Sequence, residues 1–272
     1  MSTEDFNKAT ENISEVPTEE MLRLINEQDK LVPQIVEKCI PQVAVMVEKA
    51  VEALKSGHRI IYCGAGTSGR LGVVDAAECP PTYGLSPDKF TAVMAGGRDA
   101  VFRAAEGFED SREAGIVAFK ENNVEKGDLV IGISVSGQAP FVVAFMEEAR
   151  KIGCTVAAIV NNEGAPMTKV ADIIIFADTG AEAIKGSTRM KGGTSQKLIL
   201  NMFSTAVCIN MGYVYKNYMV NMKVSNQKLR KRAITMMIEI TGMDAQKAEE
   251  LLIENDWDVK TTLKAYFDKE QA

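Results

Sequence analysis

The stretch Arg59-Ile-Ile-Tyr-Cys-Gly-Ala-Gly-Thr-Ser-Gly-Arg70 joins a short apolar run to a glycine-rich turn. A run of this length predicts a buried strand, and the glycines predict a tight turn into a helix. Helical patterns separate this run from four more of its kind, at 90–94, 129–133, 156–160 and 173–176. Strands and helices that alternate at this spacing predict an α/β fold, a three-layer doubly wound parallel sheet with helices on both faces.

Helical patterns also flank the sheet. Helices are predicted from Thr18 and over 41–54, 98–119, 139–151, 165–171 and 194–211. The last of these is long and mostly apolar, so we expect it to pack inside the protein or against a second subunit. Past residue 222 the helical patterns become shorter and more charged, at 226–241, 244–255 and 259–267. We therefore predict two parts. Residues 1–222 form N-terminal helices and the main domain, whose sheet core covers about 55–218, and residues 223–272 form a small helical appendage.

The composition argues against two classes of partner, nucleic acids and membranes. Of 272 residues, 46% are hydrophobic, and 37 acidic residues outnumber 31 basic ones, which gives a net charge of −6. This acid excess is spread along the chain and argues against a nucleic-acid partner, which requires clustered lysine and arginine. No apolar run approaches the roughly 20 residues of a membrane span, and the N-terminus does not resemble a signal peptide. We expect a cytoplasmic protein with no membrane partner.

The cysteines and the histidine limit the available chemistry. The five cysteines are odd in number, widely spaced and mostly inside apolar runs, and none forms a CxxC motif. This pattern predicts buried thiols rather than disulfides. His58 is the single histidine of the sequence, so a zinc site or a Ser-His nucleophile is not expected. We expect no metal and no other cofactor.

The glycine-rich loop after the first strand is a candidate phosphate site. Its spacing matches G-x-G-x-x-G, the dinucleotide fingerprint, but the next strand ends Ala92-Val-Met-Ala-Gly-Gly97, without the acid that would hold a ribose. It also lacks the lysine of a Walker loop. What remains is a turn with Gly66, Thr67 and Ser68 at a helix N-terminus, where backbone N–H groups and hydroxyls can bind phosphate. A merely tight turn is the alternative.

A similar loop follows the third strand. Ser134, Ser136, Gly137 and Gln138 stand where that strand meets a helix, and Pro140 suits the first turn of the helix. Ligands of open parallel sheets bind beyond the carboxyl ends of the strands. Two hydroxyl-bearing loops at neighbouring strand ends therefore predict a site for a phosphorylated polyol or sugar, rather than for a nucleotide.

Both loops resemble the phosphosugar-binding signatures of the sugar isomerase (SIS) domain. Within that superfamily the chain most resembles the N-acetylmuramic acid 6-phosphate etherases, which are related to the glucokinase regulatory protein. The stretches that carry this resemblance include Asp75-Ala-Ala-Glu78-Cys-Pro-Pro81, Glu106-Gly-Phe-Glu109-Asp110 and Gly186-Ser-Thr-Arg189. The C-terminal region resembles the three-helix module of this family, which is similar to a ubiquitin-associated (UBA) domain. The resemblance implies an SIS fold and, because SIS proteins usually pair, a homodimer.

The resemblance also implies a reaction. The family removes D-lactate from the C3 ether of the sugar phosphate by elimination, and water addition then gives N-acetylglucosamine 6-phosphate. By the family motifs, Glu78 would donate a proton to the lactyl oxygen. Glu109 would be the second acid/base residue, taking the C2 proton or activating the water. Glu106 is the nearest rival to Glu109, because it precedes it by one turn of the predicted helix.

Further polar residues cluster at the predicted start of the long helix. The cluster comprises Ser187, Thr188, Arg189, Lys191 and Lys197, and positive charge at a helix start suggests a bound anion. A structural or dimer-contact role is the alternative for each basic residue.

Two other functions remain open. A sugar-phosphate-binding regulator without turnover is compatible with Gln138 and Ala139, where this sequence departs from the family's usual loop. A phosphosugar isomerase would share the phosphate loops but would not require a second glutamate.

Overall fold

The computed structural model describes residues 2–103 and 107–270. Its centre is a parallel sheet of five strands in the order β2-β1-β3-β4-β5. The strands are β1 (Ile60–Gly64), β2 (Phe90–Met94), β3 (Leu129–Ile133), β4 (Thr155–Val160) and β5 (Ile173–Phe176). These bounds agree with the predicted runs to within about one residue, so the predicted α/β sheet is confirmed. The apolar runs identify the strands because β1 and β3 are buried along their whole length.

The helices that surround and follow the sheet alternate with the strands as predicted. Those before β3 are α1 (Thr18–Asp29), α2 (Val32–Glu37), α3 (Ile40–Lys55), α4 (Gly66–Tyr83), α5 (Asp99–Phe102) and α6 (Arg112–Glu121). Those after it are α7 (Pro140–Ile152), α8 (Pro166–Val170), α9 (Lys191–Asn210), α10 (Gln227–Thr241), α11 (Ala245–Glu254) and α12 (Val259–Glu270). A short antiparallel pair, β6 (Val214–Tyr215) and β7 (Tyr218–Met219), was not predicted. The described part of the chain has no helix long and apolar enough to cross a membrane.

The side chains of β1 show how the sheet is covered on both faces. Ile61 and Cys63 pack into a core cluster with α7. On the opposite face, the Tyr62 ring meets the Phe203 ring of α9 edge-on, with centroids 6.4 Å apart. A Cβ on Gly72 of α4 would lie only 3.0 Å from the Tyr62 Cβ, so this glycine permits close packing of α4 on the sheet. Alternate residues of one strand thus bury opposite faces, as expected for a three-layer fold.

The strand order decides where a ligand can bind. β1 pairs with β2 on one side and with β3 on the other, and Gly64 and Ile133, the last residues of β1 and β3, are register partners. In this order the connections run in opposite directions from β1 and β3, which opens a crevice at their carboxyl ends. The two glycine and serine loops therefore leave the sheet side by side.

The single helix predicted over 98–119 is wrong. Two helices occupy this region: α5 ends at Phe102, and α6 begins at Arg112. Gly107 adopts a left-handed conformation with φ of +82°, which an α-helix cannot contain. Ser111 then caps α6, because its Oγ accepts a hydrogen bond from the Ala114 N–H at 3.1 Å.

The C-terminal part of α4 contains two consecutive prolines, Pro80 and Pro81. α4 continues through both prolines and ends at Tyr83. Each proline lacks the N–H that would donate to the carbonyl four residues earlier, so the last turns of α4 go without two backbone hydrogen bonds.

The long helix α9 begins at Lys191, three residues before the predicted start. Glu182, outside the helix, accepts hydrogen bonds from the N–H groups of Lys191 and Gly192, both at 2.9 Å. A cap supplied from outside the helix leaves no local sequence signal. The apolar residues Ile199, Phe203 and Val207 are buried within the chain itself, so burial of this helix does not require a second subunit.

The chain divides into two compact units. The first comprises Met1–Ala77 and Pro87–Val207, and the second comprises Glu78–Ser86 and Cys208–Ala272. The second unit has its own core, which is rich in methionine and includes Met236, Met237 and Leu252. The boundary predicted at residue 222 stays a prediction.

Candidate active site

A cleft of about 430 Å³ opens at the carboxyl ends of β1 and β3, within the first unit. It is lined by Glu4, Ala65, Gly66, Thr67, Ser68, Glu109, Asp110, Ser134, Val135, Ser136, Gln138, Ala139, Pro140 and Thr188. The structure thus brings together both hydroxyl loops and one of the two predicted glutamates. This is the position at which the strand order predicts a ligand.

Glycines shape the first loop. Gly64 and Gly69 touch through their backbones, and a Cβ on Gly64 would lie 2.7 Å from the Gly69 nitrogen. Gly66 has φ of +54°, in the left-handed region that favours glycine. The loop therefore turns sharply and presents Thr67 and Ser68 at the N-terminus of α4. The first N–H groups of a helix have no partner inside it, so they are available to an anion.

The Ser68 side chain belongs to a network of hydrogen bonds between buried polar side chains. Its Oγ donates to Gln196 Oε1 at 2.8 Å, and Gln196 Nε2 contacts Asn161 Oδ1 at 3.4 Å. Asn161 Nδ2 donates in turn to Ser195 Oγ at 2.8 Å. This network ties the loop after β1 to the residue that follows β4 and to α9. Gln196 and Asn161 were not predicted, because contacts between distant elements leave no local pattern.

The second loop is stabilised by its own serines. Ser134 Oγ accepts from the Gly137 N–H at 3.0 Å, and Ser136 Oγ accepts from the Gln138 N–H at 3.3 Å. Gly137 has φ of +64°, and a Cβ there would lie 2.5 Å from the Ala165 Cβ. Gly137 is buried and does not line the cleft, so its role is to allow the turn. Pro140 begins α7, as predicted.

The charge of the cleft is unusual for a phosphate site. Among the described residues, no lysine or arginine lines it, whereas Glu4, Glu109 and Asp110 do. Positive potential comes instead from the N-termini of α4 and α7, which both begin at the cleft. Both helix dipoles attract anions, and α4 also has free N–H groups, whereas α7 begins with Pro140 and its Phe141 N–H is already bonded to the Glu109 carbonyl.

Glu109 lies in the turn before α6 rather than in a helix. Its carbonyl oxygen accepts a hydrogen bond from the Phe141 N–H at 3.0 Å, which fixes the turn against the start of α7. The side chain is exposed and lines the cleft. Glu106, the predicted rival, lies outside the described residues.

The other predicted residues lie elsewhere. Glu78 is exposed on α4, falls in the second unit and is not among the residues that line the cleft. Ser187 and Arg189 flank Thr188, which does line it, and Arg189 is exposed. Lys197 lies almost two turns into α9, where its charge acts on Asp75.

Asp75 is a buried carboxyl that sequence reasoning did not assign. It accepts hydrogen bonds from Tyr62 Oη at 2.7 Å, Ser204 Oγ at 3.0 Å and Asn201 Nδ2 at 3.1 Å. Burial raises the pKa of Asp75, although these hydrogen bonds and the charge of Lys197 oppose the rise. Asp75 therefore links α4, on which it lies, to β1 and α9.

A larger cavity of about 580 Å³ lies beside the edge strand β2. Its lining is mostly apolar and includes Val93, Phe102, Phe108 and Phe141. It contains none of the hydroxyls of the two loops, so we assign the candidate active site to the smaller cleft.

Comparisons with known families and structures agree with this architecture. Three family descriptions match: the glucokinase regulatory protein N-terminal SIS domain over 42–150, the SIS domain over 107–206, and the C-terminal lid domain of glucokinase regulatory protein over 216–270. Among solved structures, phosphoheptose isomerase GmhA from Neisseria gonorrhoeae shares 17% identity at a TM-score of 0.53, over 70% of this chain and 99% of that one. The Vibrio vulnificus NanR protein complexed with ManNAc-6P shares 14% identity at a TM-score of 0.53, over 82% of this chain and 72% of that one. At these identities they show the fold alone.

Curated relatives are much more similar. The N-acetylmuramic acid 6-phosphate etherase of Symbiobacterium thermophilum is 49% identical over 253 residues, which cover 93% of this chain and 84% of that protein. N-acetylmuramic acid 6-phosphate etherase 1 of Vibrio cholerae is 46% identical over 250 residues, which cover 92% of this chain and 83% of that protein. At this identity over more than nine-tenths of its length, the chain belongs to the N-acetylmuramic acid 6-phosphate etherase family.

Proposed function

We propose that this protein is a carbon–oxygen lyase that cleaves the D-lactyl ether of N-acetylmuramic acid 6-phosphate, giving N-acetylglucosamine 6-phosphate and D-lactate. Such a reaction would serve the breakdown and recycling of peptidoglycan amino sugars. One observation carries the proposal: a member of this family has two hydroxyl-bearing loops and Glu109 around one cleft. Loops of this kind suit a sugar phosphate, and the carboxyl suits proton transfer to or from it.

The phosphate is proposed to bind between the two loops. The N-terminus of α4 supplies N–H groups, the dipole of α7 adds positive potential, and Thr67, Ser68, Ser134 and Ser136 supply hydroxyls. The fold-related NanR protein is complexed with the sugar phosphate ManNAc-6P. Arg189, with Ser187 and Lys197, is proposed to meet the second anionic group, the lactyl carboxylate; the support is the exposed charge of Arg189 next to Thr188.

The chemistry is an elimination followed by a hydration. In the open-chain sugar, the C1 aldehyde makes the C2 proton acidic, and a base removes it while the C3–O bond breaks. The lactyl oxygen leaves with a proton from a general acid, which leaves an unsaturated aldehyde. Water then adds to C3, and a proton returns to C2. Two carboxyl groups supply this proton transfer without a metal.

The two roles are proposed for Glu109 and Glu78. Glu109 lines the cleft and is proposed to take the C2 proton or to activate the water. Glu78 is proposed to protonate the lactyl oxygen; its support is the family motif Asp75-Ala-Ala-Glu78 and the exposure of its side chain.

Release of D-lactate from N-acetylmuramic acid 6-phosphate tests the function. We expect release by the parent and a loss of about 10²- to 10⁴-fold in Glu109→Gln and Glu78→Gln, the usual contribution of a general acid or base. Glu48→Gln, an exposed carboxylate on α3, is the matched control and should retain activity. Reaction in D₂O should place deuterium at C2, and ¹⁸O from water should enter the C3 hydroxyl rather than the lactate.

The parent's behaviour separates this function from the alternatives. A folded parent that binds the sugar phosphate but releases no lactate would contradict the etherase and favour the regulator. Conversion of an aldose phosphate to a ketose phosphate without lactate would favour the isomerase.

We further propose a cytoplasmic homodimer. The five cysteines are buried thiols, which suit a reducing compartment. Phe102 is 88% exposed, and Phe108 and Val117 are also exposed around the larger cavity, which favours a partner surface there. A monomer in size-exclusion chromatography with light scattering would contradict the dimer. The UBA-like module over 223–272 is supported by the lid-domain match over 216–270.

A further inference from the structure

The N-terminal arm, residues 2–10, is held against the carboxyl edge of the sheet. Thr3 is completely buried. Its N–H donates to Asn162 Oδ1 at 3.0 Å, and Asn162 Nδ2 donates to Thr3 Oγ1 at 3.2 Å. Asn162 follows β4 by two residues, so this pair of hydrogen bonds fixes the arm beside the strand ends.

The far end of the arm is fixed in the same way. Asn7 Nδ2 donates to Gln28 Oε1 at 2.8 Å and to the Ala181 carbonyl at 3.2 Å. Thr10 is buried, and its Oγ1 donates to the Ala183 carbonyl at 2.8 Å. With anchors on both sides, the residues between them have a defined position.

Glu4 is the arm residue that enters the candidate active site. It lines the same cleft as Ser68, Ser136 and Glu109. A Cβ on Gly186 would lie 3.2 Å from Glu4 Oε2, so the carboxylate rests against the backbone of the loop that also supplies Thr188. Gly186 has φ of +77°, which favours glycine and leaves this space open.

The charge of Glu4 indicates which part of a ligand it meets. An ionised carboxylate is only an acceptor of hydrogen bonds, and it repels a phosphate or another carboxylate. It binds well to hydroxyl and amide N–H groups, which are the donors of an N-acetylated sugar. The loop hydroxyls and helix N-termini, by contrast, suit the phosphate.

We propose that Glu4 is a specificity-determining residue that accepts a hydrogen bond from a hydroxyl or the amide N–H of the sugar. In this arrangement it orients the sugar so that the phosphate lies on the two loops. This inference rests on the proposed function for the identity of the sugar. It adds a residue from the N-terminal arm to a site otherwise built from the sheet.

Calorimetric titration with two ligands tests the proposal. N-acetylglucosamine 6-phosphate carries the sugar and the phosphate, whereas inorganic phosphate carries only the anion. For Glu4→Ala we expect sugar-phosphate binding to weaken roughly 10- to 100-fold, the loss of one hydrogen bond to a charged group. Affinity for inorganic phosphate should stay unchanged or increase, because a repelling charge has been removed. Glu11→Ala, which replaces an exposed carboxylate directly after the arm, is the control and should match the parent.

Two further variants distinguish direct contact between Glu4 and the sugar from the positioning of Glu4 by the N-terminal arm. Glu4→Gln keeps one acceptor oxygen without its charge and should lie between the parent and Glu4→Ala. Thr3→Val keeps the shape of the anchor but removes the acceptor of the Asn162 bond, so we expect weaker sugar-phosphate binding although Glu4 is present.

Several results would overturn the proposal. Equal tightening for both ligands would show that Glu4 only repels anions, and unchanged affinity for both would show that it contacts neither. Failure of the proposed function appears separately, as a parent that binds the sugar phosphate but releases no D-lactate.

Discussion

Replacing Ser136 with alanine removes a hydroxyl that contributes little to the fold. Ser136 is half-buried, its Oγ lies 3.4 Å from Ser134 Oγ, and it accepts from the Gln138 N–H at 3.3 Å. Both distances are long for hydrogen bonds, so we expect the free energy of unfolding to change by less than about 0.5 kcal/mol. A hydrogen bond to a charged phosphate is worth about 1.5–3 kcal/mol, so ligand affinity should fall roughly 10- to 150-fold.

Ser68→Ala should lower the stability of the protein more, and its ligand affinity less, than Ser136→Ala. Ser68 is 6% exposed and donates to Gln196 Oε1 at 2.8 Å, and Gln196 is fully buried. The substitution leaves a buried acceptor without its donor, at a cost of about 1–3 kcal/mol. For a unit of this size, that loss lowers Tm by roughly 2–12 °C. Binding to Ser68 also requires its proton to turn away from Gln196, so its share of ligand affinity should be smaller than that of Ser136.

Thermal unfolding and calorimetric titration with N-acetylglucosamine 6-phosphate measure both effects. Ser225→Ala, an exposed serine of the second unit, is the control and should leave Tm and affinity unchanged. Parent-like affinity in Ser136→Ala would refute our placement of the phosphate. A parent-like Tm in Ser68→Ala would refute the stabilising role of its bond to Gln196.

Two further substitutions test the support of the site. Gly137→Ala should lower both Tm and ligand affinity, because a Cβ there lies 2.5 Å from the Ala165 Cβ and φ is +64°; parent-like values would contradict this. Burial raises the pKa of Asp75 above its ordinary 3.8, so the unfolded chain loses this proton first as pH rises. The stability that Asp75 contributes is complete below pH 3.8 and is lost as pH rises through the raised pKa. Asp75→Asn should remove this decline in denaturant unfolding measured from pH 3 to 8, and an unchanged pH profile would contradict it.

The strands and most helices could be predicted because their signals are local. Buried parallel strands require continuous apolar runs, and each run matched a strand of the sheet. The helix predicted over 98–119 failed at Gly107, whose left-handed conformation could not be distinguished from a tolerated helical glycine. The start of α9 was missed because its cap, Glu182, comes from a separate loop.

Part of the candidate site could be predicted for the same reason. Ser68 and Ser136 belong to loops that directly follow strands, and parallel strands bring such loops to one edge. Glu4 gave no local signal, since an acidic residue in a polar arm resembles an ordinary exposed one. Its position depends on Thr3, Asn7 and Thr10, which bond to residues far away in the chain.

The sequence by itself determined the parallel α/β fold, the two hydroxyl-bearing loops and the family, because each depends on residues adjacent in the chain or on extended identity. Only the tertiary structure decided which residues share the cleft. It brought Glu4 and Glu109 together beside the loops, and it placed Gln196 beneath Ser68. Contacts of this kind join residues more than 100 positions apart, and the packing of the sheet, α9 and the N-terminal arm determines them rather than any local pattern.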